Sequence, residues 1–367
     1  MTEELLRTPL YDMHVALGGR MVGFAGWCLP VCFAGVVAEH RHTRDACSVF
    51  DVSHMGRLRL GGRDAGTLLD LLCTRRLADA EPGRSYYTHI CREDGGILDD
   101  VIVSRFEEDW GVVCNAANRE KIVKWITRHA AGRDASLTDE TDATAMVAIQ
   151  GPTAVDLART LAGLDLSTLR RYGFMERAYM GLRVVVYRSG YTGEDGLEVV
   201  APAGAARLLL EGLFGPGFSR APDVRPAGLG ARDTLRIEAG MPLYGHELSE
   251  SVDSLSAGQG WCVDLEREFI GAASLRRVKA EGLRRRLVGL QLDGRRTARQ
   301  HHAVLAAGRE VGTVTSGVLS PTLDRSIAMA YVPPEHAEPG TTLEVAVGRK
   351  RAAAVVVALP FYKRPKK

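Results

Sequence analysis

Two adjacent carboxylates, Asp99 and Asp100, interrupt the apolar run Ile97-Leu98-Asp99-Asp100-Val101-Ile102-Val103. A charge inside such a run is costly unless it is paired or put to use. Successive side chains on a strand point to opposite faces, so the two carboxylates cannot do the same job, and one faces water or a turn while the other faces something less solvated. The ordinary alternative is a pair of solvated or cap carboxylates beside a hairpin. A second acidic cluster, Glu194, Asp195 and Glu198, follows Tyr191 in a stretch with glycines at 190, 193 and 196. The spacing is not GxGxxG and lacks the lysine of a phosphate loop, so no nucleotide site is read there. A hairpin with charged rim residues and a tightly folded ligand loop both fit. Arg232 and Arg236 lie one turn apart on a helical stretch that also carries Glu238. Intrahelical ion pairing is the ordinary explanation, while a fork of arginine donors beside an acidic loop would equally suit a planar, polar heterocycle.

Other candidates carry less chemistry. His40 and His42, two apart on a helix, face different directions, which argues against a two-histidine metal site and for solvated histidines. Asp51, Ser53 and His54 crowd together in sequence, but a catalytic triad meets through the fold and not by adjacency. His129 closes a helix as a complement to its dipole. The seven cysteines, at 28, 32, 47, 73, 91, 114 and 262, include no CxxC and no zinc spacing with histidine, and read as reduced and mostly buried, as in a reducing compartment. Net charge is +2, which gives no case for nucleic acid or membrane binding. The one basic face is Arg267, Arg276, Arg277, Lys279, Arg284, Arg285 and Arg286, usually solvated and occasionally a dock for an acidic protein. The acidic start, MTEELLRTPLYDMH, is unlike a signal peptide, and no apolar stretch is long enough to span a membrane, so a cytoplasmic protein is expected.

The elements that must position these residues alternate first between strands and helices. A helix is expected over 36–47, a strand over 57–60 and a helix over 64–73. A strand over 86–91 enters the Asp94-Gly95-Gly96 turn, so the Asp99-Asp100 run is the second arm of a hairpin. A strand over 111–115, ending in Asn115, precedes a helix over 118–131. Strands at 146–150 and 182–188 and helices from 151, 204 and 228 follow. From Leu287 the texture becomes short alternating runs at 287–292, 311–315, 326–331, 342–347 and 351–358, an all-β module built as a small barrel or sandwich. With 367 residues, a prior of roughly 100–200 residues per domain gives two or three domains.

Taken together and in order, TPLYDMH, FAGWCLP, FDVSHMG, DGGILDD, VCNAANREK, GYTGEDGLEV, GLGARDTLRIEAGMPLYG, TSGVLSPTL and ALPF resemble the aminomethyltransferase (T-protein) family of the glycine cleavage system over nearly the whole chain. The resemblance implies an α+β, three-domain folate-binding fold around a central hole: two interleaved α/β domains within residues 1–280, and a C-terminal all-β barrel-like domain over 284–362. It implies transfer of a one-carbon unit from the aminomethyl-lipoyl arm of the H-protein to tetrahydrofolate, giving 5,10-methylenetetrahydrofolate and ammonia. It makes tetrahydrofolate the acceptor, requires no metal, and makes the P- and L-proteins indirect partners. By position it makes Asp100 the catalytic carboxylate and Asp99 a structural neighbour. Glu198 grips the pterin, whose N3–H and 2-amino group form a donor edge that a carboxylate matches. Arg232 lies at the folate, Tyr191 helps hold the ring, and Asn115, Tyr87 and Met55 line the pocket. Arg364 and Lys366 are expected near the folate's polyglutamate end. FAGWCLPVCF departs from the family by placing Cys28 and Cys32 where members often carry other residues. The same fold would also suit a tetrahydrofolate-dependent demethylase, or a non-enzymatic folate-binding factor for iron–sulfur assembly, although the latter's KGCYxGQE-like segment is missing.

Overall fold

The computed structural model describes residues 4–166, 168–179, 181–221 and 223–365. The breaker-rich start is more ordered than its composition suggests. It contains β1 (Leu6–Arg7), α1 (Tyr11–Ala16), β2 (Arg20–Phe24) and β3 (Trp27–Cys32), with the strands ordered β1-β3-β2. Ala25 and Gly26, at φ of 49° and 82°, make the tight left-handed turn between β2 and β3. The expected helix follows as α2 (Val36–Asp45), and then β4 (Cys47–Asp51), a strand not anticipated from sequence. All five residues of β4 are buried. It lies between two other strands of its sheet, so no polar alternation marks it.

The chain continues through β5 (Gly56–Gly61), α3 (Ala65–Leu72), β6 (Arg84–Cys91), β7 (Ile97–Arg105), β8 (Trp110–Cys114), α4 (Arg119–Ala130) and β9 (Ser136–Asp139). Their strands form a sheet in the order β6-β7-β8-β5-β9. Next come β10 (Thr144–Gln150), α5 (Ala154–Ala162), β11 (Phe174–Tyr179), β12 (Leu182–Tyr187), β13 (Gly196–Pro202), α6 (Ala206–Phe214) and β14 (Val224–Pro226). These complete a six-stranded sheet, β11-β12-β13-β10-β4-β14. One of its faces is apolar: Val49, Val147 and Ile149 pack with Ala154 of α5 and with Leu210 and Phe214 of α6. That burial fixes the register of β10 and so aims Gln150 away from the helices.

After α7 (Leu229–Glu238) and α8 (Ala272–Glu281), six antiparallel strands close a barrel: β15 (Arg286–Leu292), β16 (Ala303–Ala306), β17 (Arg309–Ser320), β18 (Arg325–Val332), β19 (Thr342–Val347) and β20 (Lys350–Val357). The all-β ending is as expected, with one strand more than the five alternating runs. The addition, β16, is four residues long, too short to show a period, and turns into β17 through Ala307 and Gly308 at φ 48° and 77°. The barrel interior is filled by alternate residues: Val288, Leu290 and Leu292 of β15, Ala328, Ala330 and Val332 of β18, and Ala352, Ala354 and Val356 of β20.

The chain divides into two compact units. The first runs to Ala65 and adds Ala80–Tyr86 and Ile102–Asp233; the second takes Gly66–Asp79, Tyr87–Val101 and everything from Thr234. Strands β6 and β7 and helix α7 each pass from one unit into the other. Among the described residues no helix is long and apolar enough to cross a membrane.

Candidate active site

In the first unit the glycine-rich stretch forms the connection from β12 to β13. Gln150, at the end of β10, organises it: its Nε2 donates to the carbonyls of Ser189 (3.0 Å) and Leu197 (3.2 Å), and its Oε1 accepts from Thr192 Oγ1 at 3.0 Å. A Cβ on Gly190 would stand 1.8 Å from Gln150 Oε1, and one on Gly196 2.3 Å from Nε2, so the amide occupies the space a side chain would need. Two of the three acidic residues are tied into this scaffold. Glu194 pairs with Arg44 of α2 at 2.8 Å, and the same guanidinium also holds the Thr192 carbonyl at 2.7 Å. Asp195 pairs with Arg188 at 2.8 Å. Glu198 is different: half-buried on β13, it accepts a 2.5 Å hydrogen bond from Ser189 Oγ. Tyr191 lies beneath Arg232, whose guanidinium carbon is 4.7 Å from the ring centroid, within cation–π range.

Met55 sits in the turn after β4. Arg57 holds that turn by donating to the carbonyls of Ser53 (3.0 Å) and Met55 (2.5 Å). His54 is buried edge-on to Phe24, and burial first, then the charge of Arg232, pushes it down to about 3, so it is neutral near pH 7. The Asp51, Ser53 and His54 cluster is indeed no triad. The histidine partner of Asp51 is His14 of α1, at 2.7 Å, with Thr8 Oγ1 also at 2.7 Å. Burial alone would raise Asp51, but hydrogen bonds from His14, Ser53 and Thr8 and the His14 charge outweigh it and bring it to about 2. Asn115 follows β8, half-buried.

In the second unit the paired aspartates separate as alternation requires. Asp99 is fully buried and Asp100 partly exposed. Tyr87 of β6 donates its hydroxyl to Asp100 Oδ2 at 3.1 Å. Its ring is stacked under Trp261, with centroids 5.3 Å apart and planes 21° from parallel, although Trp261 itself is 59 % exposed. Sequence reasoning does not single out Trp261 or Ser254, because nothing local places either beside the Asp100 hairpin; His89, two residues from Tyr87 on a strand, carries a readable same-face signal.

Three expectations are corrected. His40 is fully buried in α2 and not solvated, because α2 packs on β4 and β14. Arg236 is not presented beside Arg232 as a fork: it is buried, donating to Glu247 (2.7 Å) and Ser316 Oγ (2.7 Å), while Glu238 accepts from Ser320 Oγ and the Thr322 amide. Within the basic stretch, Arg267 is folded inward onto the carbonyls of Asp70, Cys73 and Arg75, and Arg276 bonds Glu268 and the Leu265 and Arg267 carbonyls. Arg277, Lys279, Arg284 and Arg286 are exposed. Arg364 is exposed on the C-terminal tail, and Lys366 lies outside the described residues. The cysteines are thiols, and burial holds Cys47, Cys73, Cys91 and Cys262 up at about 12. Among the described residues no group of three or more His, Cys, Asp or Glu side chains is arranged to hold a metal ion.

Mixed α/β sheets ending in a six-stranded antiparallel barrel, with polar groups concentrated on the β12–β13 connection and the β6–β7 hairpin, define a class that also has sequence relatives. The GCVT N-terminal domain matches residues 10–267, and the glycine cleavage T-protein C-terminal barrel domain matches 285–363. An aminomethyltransferase of Rubrobacter xylanophilus is 47% identical over 98% of this chain and 95% of its own length, and one of Saccharopolyspora erythraea 43% identical over 98% of each. The crystal structure of glycine cleavage system aminomethyltransferase T from Bartonella henselae superposes with a TM-score of 0.92 at 32% identity, covering 98% of this chain and 99% of that one. The chain belongs to the glycine cleavage T-protein family of aminomethyltransferases.

Proposed function

We propose that the chain is the aminomethyltransferase of a glycine cleavage system, moving a one-carbon unit from the aminomethyl-lipoyl arm of the H-protein to tetrahydrofolate, with release of ammonia and 5,10-methylenetetrahydrofolate. The relatives named aminomethyltransferase support the transferase activity. As ammonia leaves the S–CH2–NH2 carbon, that carbon becomes electrophilic; one tetrahydrofolate nitrogen attacks it and sheds a proton, and closure by the second nitrogen breaks the C–S bond and releases the dihydrolipoyl carrier. Asp100, ionised, stabilises the positive charge on the first nitrogen and steers the proton. A positioned carboxylate of this kind contributes on the order of 10²–10⁴-fold. Glu198 accepts from the paired donor edge of the pterin, Arg232 and Tyr191 hold the ring, and Met55, Asn115 and Tyr87 complete the contacts. Arg364 meets the polyglutamate end.

The observation that carries the reading is the contrast between Asp99, fully buried, and Asp100, partly exposed with its Oδ2 held by the Tyr87 hydroxyl. The experiment supplies tetrahydrofolate and aminomethyl-lipoylated carrier and measures ammonia and methylenetetrahydrofolate, for the wild type and Asp100→Asn. Transfer should collapse in Asp100→Asn while tetrahydrofolate still binds. Full activity of that variant removes Asp100 from the chemistry. Turnover of a methyl donor in place of the aminomethyl carrier would move the chain to the demethylases of the same fold.

A further inference from the structure

Behind Asp100 a row of neutral groups runs into the interior of the second unit. Tyr87 Oη lies 3.1 Å from Asp100 Oδ2 and 3.3 Å from His89 Nε2. His89 Nδ1 lies 2.7 Å from Ser254 Oγ, which in turn stands 4.0 Å from Cys91 Sγ. Tyr87, His89 and Cys91 alternate along β6 and so share one face. Ser254 arrives from a distant segment, in a turn whose Leu255 and Ser256 amides donate to Asp253 Oδ1 at 2.9 and 2.8 Å. His89, Ser254 and Cys91 are fully buried.

The proton inventory of this row allows one polarity while Asp100 is ionised. A carboxylate only accepts, so the single phenol hydrogen of Tyr87 goes to Asp100. The phenol oxygen must then accept from His89, which puts the ring hydrogen on Nε2. Nδ1 is left as the acceptor for the Ser254 hydroxyl, and Ser254 Oγ as the acceptor for the Cys91 thiol hydrogen. Burial pushes His89 down to about 3, so the ring carries one hydrogen and not two.

Resting on the reading of Asp100 as the reacting carboxylate, we propose that His89 and Ser254 are positioning residues for the transfer: they fix the Tyr87 hydroxyl as a donor to Asp100, holding that carboxylate ionised and in one rotamer. The row acts through orientation and moves no covalent bond. A hydrogen bond donated to a carboxylate favours its charged form, so losing the row lets Asp100 take up a proton at higher pH. Titratable groups near this row include Cys262, close enough to Asp100 and Cys91 to feel both; Arg75, next to Cys262; and Cys73 and Asp253, facing Cys91. Burial holds the three thiols protonated well above neutrality, so they do not titrate on the acid side.

The test measures transfer against pH for Ser254→Ala, His89→Leu, His89→Gln and Tyr87→Phe beside Asp100→Asn. Ser254→Ala and His89→Leu should lower kcat about 10-fold, with KM for tetrahydrofolate and carrier within about twofold, and should move the acid limb up by about one pH unit, the scale of a hydrogen bond lost from a charged group. His89→Gln, whose amide can offer a hydrogen where Nε2–H does, should recover most of kcat. Ser254→Ala added to Tyr87→Phe should change nothing further, because the row is already cut. Should His89→Leu fail to fold, Ser254→Ala and the double variant decide alone. Wild-type kcat and acid limb in Ser254→Ala, or a full additive loss in the double variant, overturn the proposal. If Asp100→Asn abolishes transfer while Ser254→Ala is silent, only the row fails; if Asp100→Asn is active, the underlying assignment of Asp100 fails instead.

Discussion

Arg232, in the half of α7 that belongs to the first unit, lies over Tyr191, whereas Arg236, one turn later in the second unit, is 1 % exposed and bonded to Glu247 and Ser316. Residue type, helix and spacing are the same; the surroundings differ. Around Arg236 the fold supplies a carboxylate, a hydroxyl and the Met241 carbonyl at 3.2 Å, so the guanidinium is committed to holding the second unit together. Arg232 meets the Tyr191 ring. Arg236 is therefore a stability element, and the same residue type one turn earlier stands in different surroundings, a division that helical spacing cannot reveal.

The comparison breaks most visibly through Arg236→Ala. Removing it strands the buried Glu247 carboxylate and should cost about 3–5 kcal/mol in urea unfolding, a loss typical of halving a buried pair. A loss below about 1 kcal/mol would show that Arg236 is no more structural than Arg232.

Next in size is a dependence on pH that both units should share. His54 in the first and His89 in the second are neutral when folded, with values lowered to about 3 by burial and, for His54, by the Arg232 charge as well. Once unfolded they take up protons near pH 6.5, so the unfolded state binds more protons and stability falls as pH drops from about 6.5 towards 3. Between pH 6.5 and 5 each contributes a loss of about 2 kcal/mol. Asp51, lowered to about 2 by the hydrogen bonds that outweigh its burial, adds a further loss only as pH falls below its unfolded value near 4. Urea midpoints at pH 7 and 5 test this, and equal midpoints would mean that the two histidines are solvated.

Arg232→Ala should weaken tetrahydrofolate binding about 10–100-fold, the loss expected for hydrogen bonds from a charged donor, and cost less stability than Arg236→Ala. Isothermal titration beside urea unfolding separates the two. A large stability loss without a binding change would erase the contrast with Arg236.

The smallest effect concerns the exposed cations of α8. Charge reversal by Arg277→Glu and Lys279→Glu should leave stability within about 0.5 kcal/mol, yet raise the KM for the carrier several-fold and flatten its salt dependence. An unchanged KM would exclude this face as the carrier's dock.

What was legible in sequence follows from what local pattern encodes. Alternation separated Asp99 from Asp100, and 3.6-residue spacing gave α4, where Ile122 and Ile126 are buried four apart. Alternation also gave most of the barrel. β4 escaped because a strand buried on both faces shows no period, and β16 because four residues cannot. Among the side chains, local pattern did not show that Glu194 is tied down, because its partner Arg44 lies 150 residues away. His40 looked solvated because a helical histidine without its packing partners always does. Ser254 is 165 residues from the His89 it meets, a distance across which no spacing rule operates.

The second unit draws Gly66–Asp79 and Tyr87–Val101 from early in the chain and its remainder from beyond Asp233. During synthesis α3 therefore leaves the ribosome long before the residue that caps it. Arg267, which supplies donors to the carbonyls of Asp70, Cys73 and Arg75, follows Cys73 by 194 residues. At about 5–20 residues per second that interval lasts about 10–40 s. For that time Leu68, Leu69 and Leu72, all fully buried in the finished protein, belong to a helix with an open C-terminus and an unfinished core. That interval spans 194 of the 367 residues, and a ribosome stalled before residue 267 would hold this unit incomplete.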